Sequence, residues 1–200
     1  MWKKIMGLMR RKFNSHHYWE ERYRKGGNSG AGSYGELCDY KAKHINEFIQ
    51  NKTIRSIVDF GCGDGNQLLS LHCETYLGLD VSPTVLDQIR EKFKDDDSKR
   101  FELFHDNTET AELGLSCEVL FHLIEEDVWE NYLRMVFRYS EKYVIIFAAD
   151  YDKDIGRHVL ARSFTAHIKE HFPGWELIEH IPTTEELDTI SEFYFYEKKV

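Results

Sequence analysis

From residue 54 onward, short apolar runs alternate with longer amphipathic stretches, and this alternation constrains the fold more than any other feature of the chain. Such a pattern is typical of a parallel β-sheet whose connecting helices cover both faces. It predicts an α/β fold built from β-α-β connections. The predicted strands lie at residues 54–60, 76–80, 101–104, 113–118, 143–148, 175–180 and 192–197.

Two of the covering helices are well marked in the sequence. Ser82 and Pro83 supply a helix cap and a first-turn proline, and the apolar residues that follow repeat at helical spacing as far as Phe93. Residues 128–137 repeat in the same way after the fourth predicted strand. Both helices are therefore expected to pack an apolar face against the sheet.

The length of 200 residues is enough for one domain with a full hydrophobic core and is short for two. We expect residues 51–200 to form this domain and residues 1–50 to form a helical extension that belongs to it. Within the extension, the sequence predicts a helix over 35–49 and a flexible connection over the glycine- and serine-rich stretch 26–35. One domain implies one active site.

The charge and the cysteines narrow the range of partners. A formal net charge of −9 argues against a nucleic-acid-binding surface, because neutralising phosphates requires clustered lysines and arginines. The four cysteines contain no C-x-x-C pair, and no histidine completes a zinc-ligand pattern with them. We therefore predict a cytoplasmic protein with reduced thiols, no metal and no nucleic-acid partner.

Residues 1–13 alternate apolar and basic side chains at roughly helical spacing, a pattern that does not fit a secretory signal. A basic amphipathic helix either covers its own domain or a partner, or rests on an anionic membrane surface. The membrane alternative would place the protein at the inner face of the membrane. No apolar run approaches the roughly 20 residues that a membrane-spanning helix needs, so we expect no transmembrane segment.

Three glycines, Gly61, Gly63 and Gly65, follow directly after the first predicted strand. Their G-x-G-x-G spacing differs from the G-x-G-x-x-G of dinucleotide-binding enzymes, which brings a helix N-terminus against a pyrophosphate. Asp59, at the end of that strand, adds a negative charge that suits a cationic or zwitterionic ligand. Asp80 closes the second strand, where a carboxylate can accept hydrogen bonds from both hydroxyls of a ribose.

Three segments of the chain resemble the successive motifs of class I methyltransferases that use S-adenosylmethionine (SAM), namely Val58 to Gly65, Leu77 to Asp80 and Leu115 to Glu118. The resemblance covers residues 54–150. It implies a Rossmann-like, mostly parallel sheet of seven strands with the last strand antiparallel. It also implies that the protein is an enzyme with SAM as its cofactor.

The resemblance carries several cofactor contacts to residues of this chain. It places Asp59 and Gly61 at the methionine end of SAM and Asp80 at its ribose. Asp106 matches the position that reads the adenine amine, although the run that contains it is also an ordinary polar loop. The other implied cofactor-binding residues are Gly63, Gly65, Val81 and Ser116.

A second resemblance lies outside the common fold, to methyltransferases associated with bacterial surface-polysaccharide (capsule and O-antigen) biosynthesis. It implies O-methylation of a sugar hydroxyl or of a sugar-linked phosphoryl or phosphoramidate group. The chain has Leu160-Ala161 where the family pattern has a second basic pair, which puts the acceptor geometry in doubt. The residues that carry the resemblance are Tyr18-Trp19, Arg22-Tyr23, Gly26 to Ser33, Lys41, Val119 to Leu123 and Arg157 to Thr165.

Four residues are candidates for catalysis or for covering the cofactor. His122 follows the fourth strand, and the near-neutral pKa of a histidine suits proton removal from a hydroxyl; the alternative is a histidine that only packs or caps. The aromatic residues Tyr18, Trp19 and Tyr23 either close over SAM as a lid, since its sulfonium and adenine both favour aromatic faces, or simply pack the extension onto the domain.

Arg157, His158 and Arg162 form a local basic cluster in an acidic protein, after the fifth predicted strand. Such a cluster suits an anionic part of the acceptor, because the planar guanidinium matches phosphoryl oxygens or a uronic carboxylate. The alternative is the solvated face of a helix, on which His158 and Arg162 would be neighbours. The cluster therefore predicts either a substrate-binding site or ordinary surface charge.

Other functions are compatible with the same residues. The acceptor could be another small molecule, or the chain could be a non-catalytic SAM-binding subunit. A nicotinamide-dependent oxidoreductase shares the fold, but the glycine spacing disfavours it. The only Tyr-x-x-x-Lys pair, Tyr194 and Lys198, falls in a predicted strand, whereas the catalytic pair of such reductases needs helical spacing to share one face.

Overall fold

The structure, a computed structural model, describes residues 13–106, 108–184 and 186–199. Within them lie five α-helices and nine strands. The helices are α1 (Ser15–Arg24), α2 (Gly35–Lys52), α3 (Pro83–Lys92), α4 (Glu126–Tyr139) and α5 (Phe164–His171). The strands are β1 (Ser56–Phe60), β2 (Thr75–Asp80), β3 (Lys99–Leu103), β4 (Ala111–Cys117), β5 (Ser140–Ala148), β6 (Lys153–Gly156), β7 (Val159–Ala161), β8 (Trp175–Ile181) and β9 (Glu192–Lys198).

Seven strands form one sheet in the order β3-β2-β1-β4-β5-β9-β8. The pairs from β3 to β5 are parallel, and β9 runs antiparallel to both of its neighbours. The seven predicted strands and the antiparallel last strand are thus confirmed. The order reverses between β1 and β4, and a crevice at such a switch point is where open α/β sheets bind ligands.

Helices cover both faces of the sheet because neighbouring residues of each strand point to opposite sides. In β1, Ile57 packs in the core beneath α2 and α3, in a cluster that includes Ile45. The next residue, Val58, packs in the core beneath α4 and α5, together with Leu133. Both helices that the sequence marked most clearly, α3 and α4, bury the apolar face that was predicted.

Strands β6 and β7 form a separate antiparallel hairpin that the sequence did not predict. A helix was the alternative considered for the basic cluster at residues 157–162, and the structure has none there. Val159 to Ala161 are extended as β7, and His158 lies in the turn before it. Helical spacing therefore does not decide which of these side chains share a face.

The glycine- and serine-rich stretch was expected to be a flexible connection, but it is hydrogen-bonded to the main domain. Residues 26–34 are called the strap below. The strap residue Ser29 and Asp64 exchange two bonds of 2.9 Å, from the Ser29 amide to the Asp64 carboxylate and from the Asp64 amide to the Ser29 hydroxyl. The Tyr34 hydroxyl donates to the same carboxylate at 2.7 Å. The strap is thereby held against the turn after β1.

Helix α1 is joined to the domain by two carboxylates, one that binds its first residue and one that it contributes from its middle. Glu20 accepts hydrogen bonds of 2.5 Å from the hydroxyls of Ser82 and Thr84, at the start of α3. The Ser15 amide donates to the Glu125 carboxylate at 2.8 Å. The basic amphipathic helix predicted at residues 1–13 lies outside the described residues, apart from Phe13.

Candidate active site

A cavity of about 580 Å3 opens at the carboxyl ends of β1, β2 and β4, at the switch point of the sheet. Its volume lies within the usual range for small-molecule sites. The walls come from three parts of the chain: the turn after β1 (residues 61–65, the glycine loop), the turn after β4, and the extension with its strap. The extension therefore completes the site.

Two of the three glycines of the loop line the cavity, and both adopt backbone angles that favour glycine. Gly61 has φ of 90°, and a Cβ there would lie 2.6 Å from the side chain of Val119. Gly63 has φ of 55°, and a Cβ there would lie 2.2 Å from the Ser29 hydroxyl. Because neither glycine has a side chain, the loop backbone can lie close to both the strap and the turn after β4, and the three segments enclose the cavity.

The prediction that Gly65 binds the cofactor needs correction. Gly65 does not line the cavity. A Cβ at this position would lie 2.4 Å from Ile89 of α3, so the glycine permits close packing between the loop and that helix. The repeated glycine spacing thus combines two positions in the cavity wall with one in the core.

Asp59 and Asp80 form the acidic inner end of the cavity, and both are buried. Asp80 accepts hydrogen bonds from the amides of Gly63 at 3.0 Å and Ser82 at 2.9 Å. Asp59 accepts one from the Tyr76 hydroxyl at 2.6 Å. Burial raises the pKa of each carboxyl to about 6, because the charged form loses its hydration. A cationic ligand at this end would favour the ionised carboxylates.

Lys41 and Glu118 meet in the cavity wall, and neither was predicted as a site residue. The Lys41 Nζ lies 2.8 Å from Glu118 Oε2, and the lysine is 1% exposed. Glu118 directly follows β4 and has φ of 59°, a backbone conformation that is uncommon for this residue type. The Glu118 amide donates to the Phe147 carbonyl at 2.7 Å, which fixes the turn. The unusual backbone aims an acidic side chain into the cavity.

The aromatic residues of α1 divide between the cavity and its surroundings. Trp19 and Tyr23 line the cavity, and Tyr18 does not. The Tyr18 ring instead stacks on His158, with centroids 4.9 Å apart. The Tyr23 hydroxyl lies 3.0 Å from the Ser29 hydroxyl of the strap. Two of the three residues predicted as a lid thus lie where they can cover a ligand.

His122 lies in the cavity wall in the turn after β4. Its Nδ1 is 2.9 Å from the His158 carbonyl oxygen, which can only accept, so Nδ1 carries the hydrogen and Nε2 has the free lone pair. Burial lowers the pKa of this imidazole to about 4. At neutral pH the ring is therefore uncharged and presents an acceptor nitrogen.

Three other cofactor residues predicted from the sequence have different outcomes. Val81 lines the cavity. Asp106 is exposed and lies outside the cavity, whereas Phe104, directly after β3, lines it. Ser116 is buried beneath the wall, where it shares a hydrogen bond of 2.7 Å with the Tyr132 hydroxyl. Asp106 and Ser116 are thus placed where neither faces the cavity.

The basic cluster is not assembled as the sequence suggested. Arg162 donates hydrogen bonds of 2.6 Å to the carbonyls of Leu123 and Ile124, so its guanidinium secures the turn after β4. Arg157 is exposed and lies outside the cavity wall. Only His158 lines the cavity. The three side chains therefore do not share one anion site.

No group of three or more histidine, cysteine or acidic side chains is arranged to hold a metal ion within residues 13–106, 108–184 and 186–199. In the same residues, no helix combines the length and the apolar character needed to span a bilayer.

Residues 57–142 match the protein family described as a methyltransferase domain. A comparison with curated proteins finds no match to the chain. Solved structures are similar in fold. The N-methyltransferase NodS from Bradyrhizobium japonicum WM9 in complex with S-adenosylhomocysteine has a TM-score of 0.70 at 12% identity, covering 93% of this chain and 99% of that chain. Magnesium protoporphyrin IX methyltransferase (ChlM) from Synechocystis PCC 6803 with bound SAM has a TM-score of 0.70 at 11% identity, covering 94% and 98%.

These findings give the fold of the chain and a methyltransferase-domain match over part of it. The sheet order with one antiparallel strand is the fold of those methyltransferases, and the matched residues contain the glycine loop, Asp59 and Asp80. Residues 57–142 match a methyltransferase domain, and the two solved structures of the same fold hold S-adenosylhomocysteine and SAM. Tyr194 and Lys198, the pair considered for a reductase, both lie in β9.

The buried acids make SAM binding dependent on pH. Because the pKa of Asp59 and of Asp80 is raised to about 6, part of their charge is lost as the pH falls through 6, and the attraction for a cationic ligand falls with it. We expect SAM affinity to rise between pH 5 and pH 7, with release of protons on binding. Calorimetry in buffers of different ionisation enthalpy measures both quantities.

The variant Asp80→Asn tests which acid is responsible. It should weaken SAM binding by about 1.5 to 3 kcal/mol, the usual contribution of hydrogen bonds to a charged group, and should reduce the pH dependence. Asp87→Asn on the exposed side of α3 is the matched control and should bind as the parent does. Parent-like affinity of Asp80→Asn at every pH would remove Asp80 from the cofactor site.

Proposed function

We propose that the protein transfers the methyl group of SAM to oxygen, on a sugar hydroxyl or a sugar-linked phosphoryl or phosphoramidate group, during bacterial surface-glycan assembly in the cytoplasm. The observation that carries the proposal is the placement of His122, whose free Nε2 is available in a cavity that the acids Asp59 and Asp80 also line. A neutral nitrogen there can take the proton of a hydroxyl. The acidic end suits the cationic cofactor.

The segments that resemble polysaccharide methyltransferases support the choice of acceptor. They lie far apart in the sequence, yet each contributes to the same cavity wall. Trp19 comes from α1, Lys41 from α2, His122 from the turn after β4, and His158 from the β6–β7 hairpin. A wall built from these segments is where a family-specific acceptor would be held.

The residues of the chain have separate tasks in such a reaction. SAM, when bound, supplies a methyl group on a positively charged sulfur. Asp59 and Asp80 would hold the cofactor at the inner end, and Gly61 and Gly63 leave room for it. The strap and α1 exclude water and orient the acceptor, which matters because an in-line displacement depends on alignment. His122 Nε2 accepts the proton that a hydroxyl acceptor loses.

The proposal is tested by incubating the protein with labelled SAM and a panel of nucleotide-sugars, sugar phosphates and glycan extracts. Mass spectrometry then locates the label. We expect an O-methyl group on a sugar or on its phosphoryl substituent. Label on a nitrogen, a carbon or a non-sugar molecule would overturn the proposed acceptor. Tight SAM binding without transfer to any acceptor would favour a non-catalytic subunit.

The variant His122→Gln distinguishes the two kinds of oxygen acceptor. For a hydroxyl acceptor, turnover should fall roughly 100-fold, which is within the usual range for a lost general base, while SAM affinity is kept. His171→Gln, in an exposed position at the end of α5, is the control. Unchanged turnover in His122→Gln would show that the acceptor oxygen is already anionic and that His122 is not a base.

A further inference from the structure

Arg22 is a cationic side chain of α1 that faces the cavity and that the sequence did not assign to the anion site. Its guanidinium lies 5.6 Å from the centre of the Trp19 ring. It donates to Asn28 through Nε at 2.6 Å and through Nη2 at 3.5 Å. A guanidinium has five N–H donors, so these two bonds leave others for a ligand. Among the residues that the structure describes, no carboxylate forms an ion pair with Arg22.

Two histidines of the cavity wall are linked to Arg22 through Trp19, whose ring contacts both Arg22 and His122. The rings of His122 and His158 are nearly parallel, with an interplanar angle of 10° and centroids 5.6 Å apart. Tyr18 stacks on His158 at 4.9 Å, and Trp19 contacts His122 edge-on at 5.0 Å. The two imidazoles are therefore held in fixed orientations between aromatic neighbours.

The electrostatics agree with this proximity. Burial is the main cause that lowers the pKa of both His122 and His158, and the positive charge of Arg22 lowers each of them further. Arg157 adds to the effect on His158 only. Arg22 thus brings a positive charge without an ion-pair partner among the described residues to the part of the cavity wall that holds both histidines.

We propose that Arg22 and His158 form a subsite that binds an anionic group of the acceptor, a phosphoryl or a carboxylate, beside His122. The proposal rests on the proposed function and defines its substrate class. Arg22 can present paired donors to two oxygens of such a group, a geometry that a planar guanidinium favours. An anion held there would also offset the charge that weakens His122 as a base.

This subsite replaces the cluster expected from the sequence. Arg162 is bound to backbone carbonyls and Arg157 lies outside the cavity wall, so neither occupies this position. The cavity wall then carries charges of both signs, from the acids Asp59 and Asp80 and from Arg22. The acids suit the cationic donor, and Arg22 suits an anionic acceptor.

The test uses the full chain saturated with S-adenosylhomocysteine, so that no turnover occurs. The ring signals of His122 and His158 are followed by NMR while sodium phosphate or sodium acetate replaces sodium chloride at constant pH and ionic strength. His122→Gln and His158→Gln assign the signals. We expect a saturable shift with at least one of the two anions. Tighter phosphate binding would indicate a phosphoryl acceptor, and tighter acetate binding a carboxylate.

The variant Arg22→Gln should weaken anion binding at least about tenfold, as expected for hydrogen bonds to a charged group, and leave the affinity for S-adenosylhomocysteine unchanged. Arg22→Lys keeps the charge and should restore part of the binding. Arg24→Gln, two residues along the same helix and exposed, is the matched control. Three results would overturn the proposal. The parent could show no saturable shift, Arg22→Gln could bind the anion as tightly as the parent, or Arg157→Gln could cause the loss of binding instead.

A methyl-transfer assay separates this inference from the proposed function. If anions bind through Arg22 but no sugar or sugar phosphate is methylated, the subsite stands and the proposed acceptor is wrong. If neutral sugars are methylated and Arg22→Gln leaves their KM unchanged, the proposed function stands and the anionic subsite is wrong.

Discussion

Replacing Gly63 by valine is expected to abolish SAM binding while the protein remains folded. The backbone at this position has φ of 55°, which a β-branched residue rarely adopts, and strain of this kind costs about 1 to 3 kcal/mol. A Cβ would lie 2.2 Å from the Ser29 hydroxyl and 3.1 Å from the Tyr23 hydroxyl. The valine would therefore displace both the loop and the strap from the cavity wall. Calorimetry measures the binding, and circular dichroism verifies the fold.

Two further variants give this experiment its controls. Gly174→Val places the same side chain at an exposed position where a Cβ would meet nothing within 4 Å, and it should bind SAM as the parent does. Gly63→Ala combined with Ser29→Gly removes the overlap with the Ser29 side chain but keeps the backbone strain. Compared with Ser29→Gly alone, which already lacks the hydroxyl bonds to Asp64 and Tyr23, the remaining loss measures the strain. A folded Gly63→Val protein with parent affinity would show that the glycine loop is not the cofactor site.

The fold was predictable because its signals are local. The strand from Thr75 to Asp80 and the helix that follows are marked by an apolar run, a cap and a first-turn proline within some 20 residues. The apolar spacing of α4 identifies the face that packs on the sheet. The β6–β7 hairpin escaped prediction because its strands have only four and three residues and bury little apolar surface.

The site was less predictable, because side-chain direction depends on contacts made by distant segments. Ser116 lies in a matched motif, yet its hydroxyl turns to Tyr132. The guanidinium of Arg162 could bind an anion, yet it donates hydrogen bonds to backbone carbonyls 38 and 39 residues earlier in the chain. Gly65 continues the glycine pattern and serves packing. Sequence spacing identifies which residues are present, but it does not show which hydrogen-bond or packing partners the folded chain brings to them.

The pair formed by Lys41 and Glu118 shows the same limit most clearly, since 77 residues separate its members. Only the unusual position of a lysine on the buried face of α2 hints at it, alongside Ala42 and Ile45. A buried lysine needs a charge partner, because an uncompensated charge in the interior costs several kcal/mol. The structure supplies that partner from the turn after β4, so the pair joins the extension to the catalytic domain.

Replacing Lys41 by methionine should therefore lower the free energy of unfolding by about 3 kcal/mol, which corresponds to a fall of about 6 to 12 °C in the melting temperature. This estimate is at the lower end for a broken buried pair because the Glu118 side chain keeps 19% of its surface exposed. Lys43→Met, two residues along the same helix and exposed, should change stability by less than about 0.5 kcal/mol. Denaturant unfolding measures both variants.

The double variant Lys41→Met with Glu118→Gln separates stability from cofactor binding. Removing both charges leaves no unpaired carboxylate, so much of the lost stability should return. We expect SAM binding to be weakened in both Lys41→Met and the double variant. Lys41 lowers the pKa of Asp59, so without Lys41 more of the Asp59 carboxyl is protonated near neutral pH. The affinity of the double variant should recover as the pH is raised. Affinity that returns with stability at every pH would show that Lys41 only holds the extension in place.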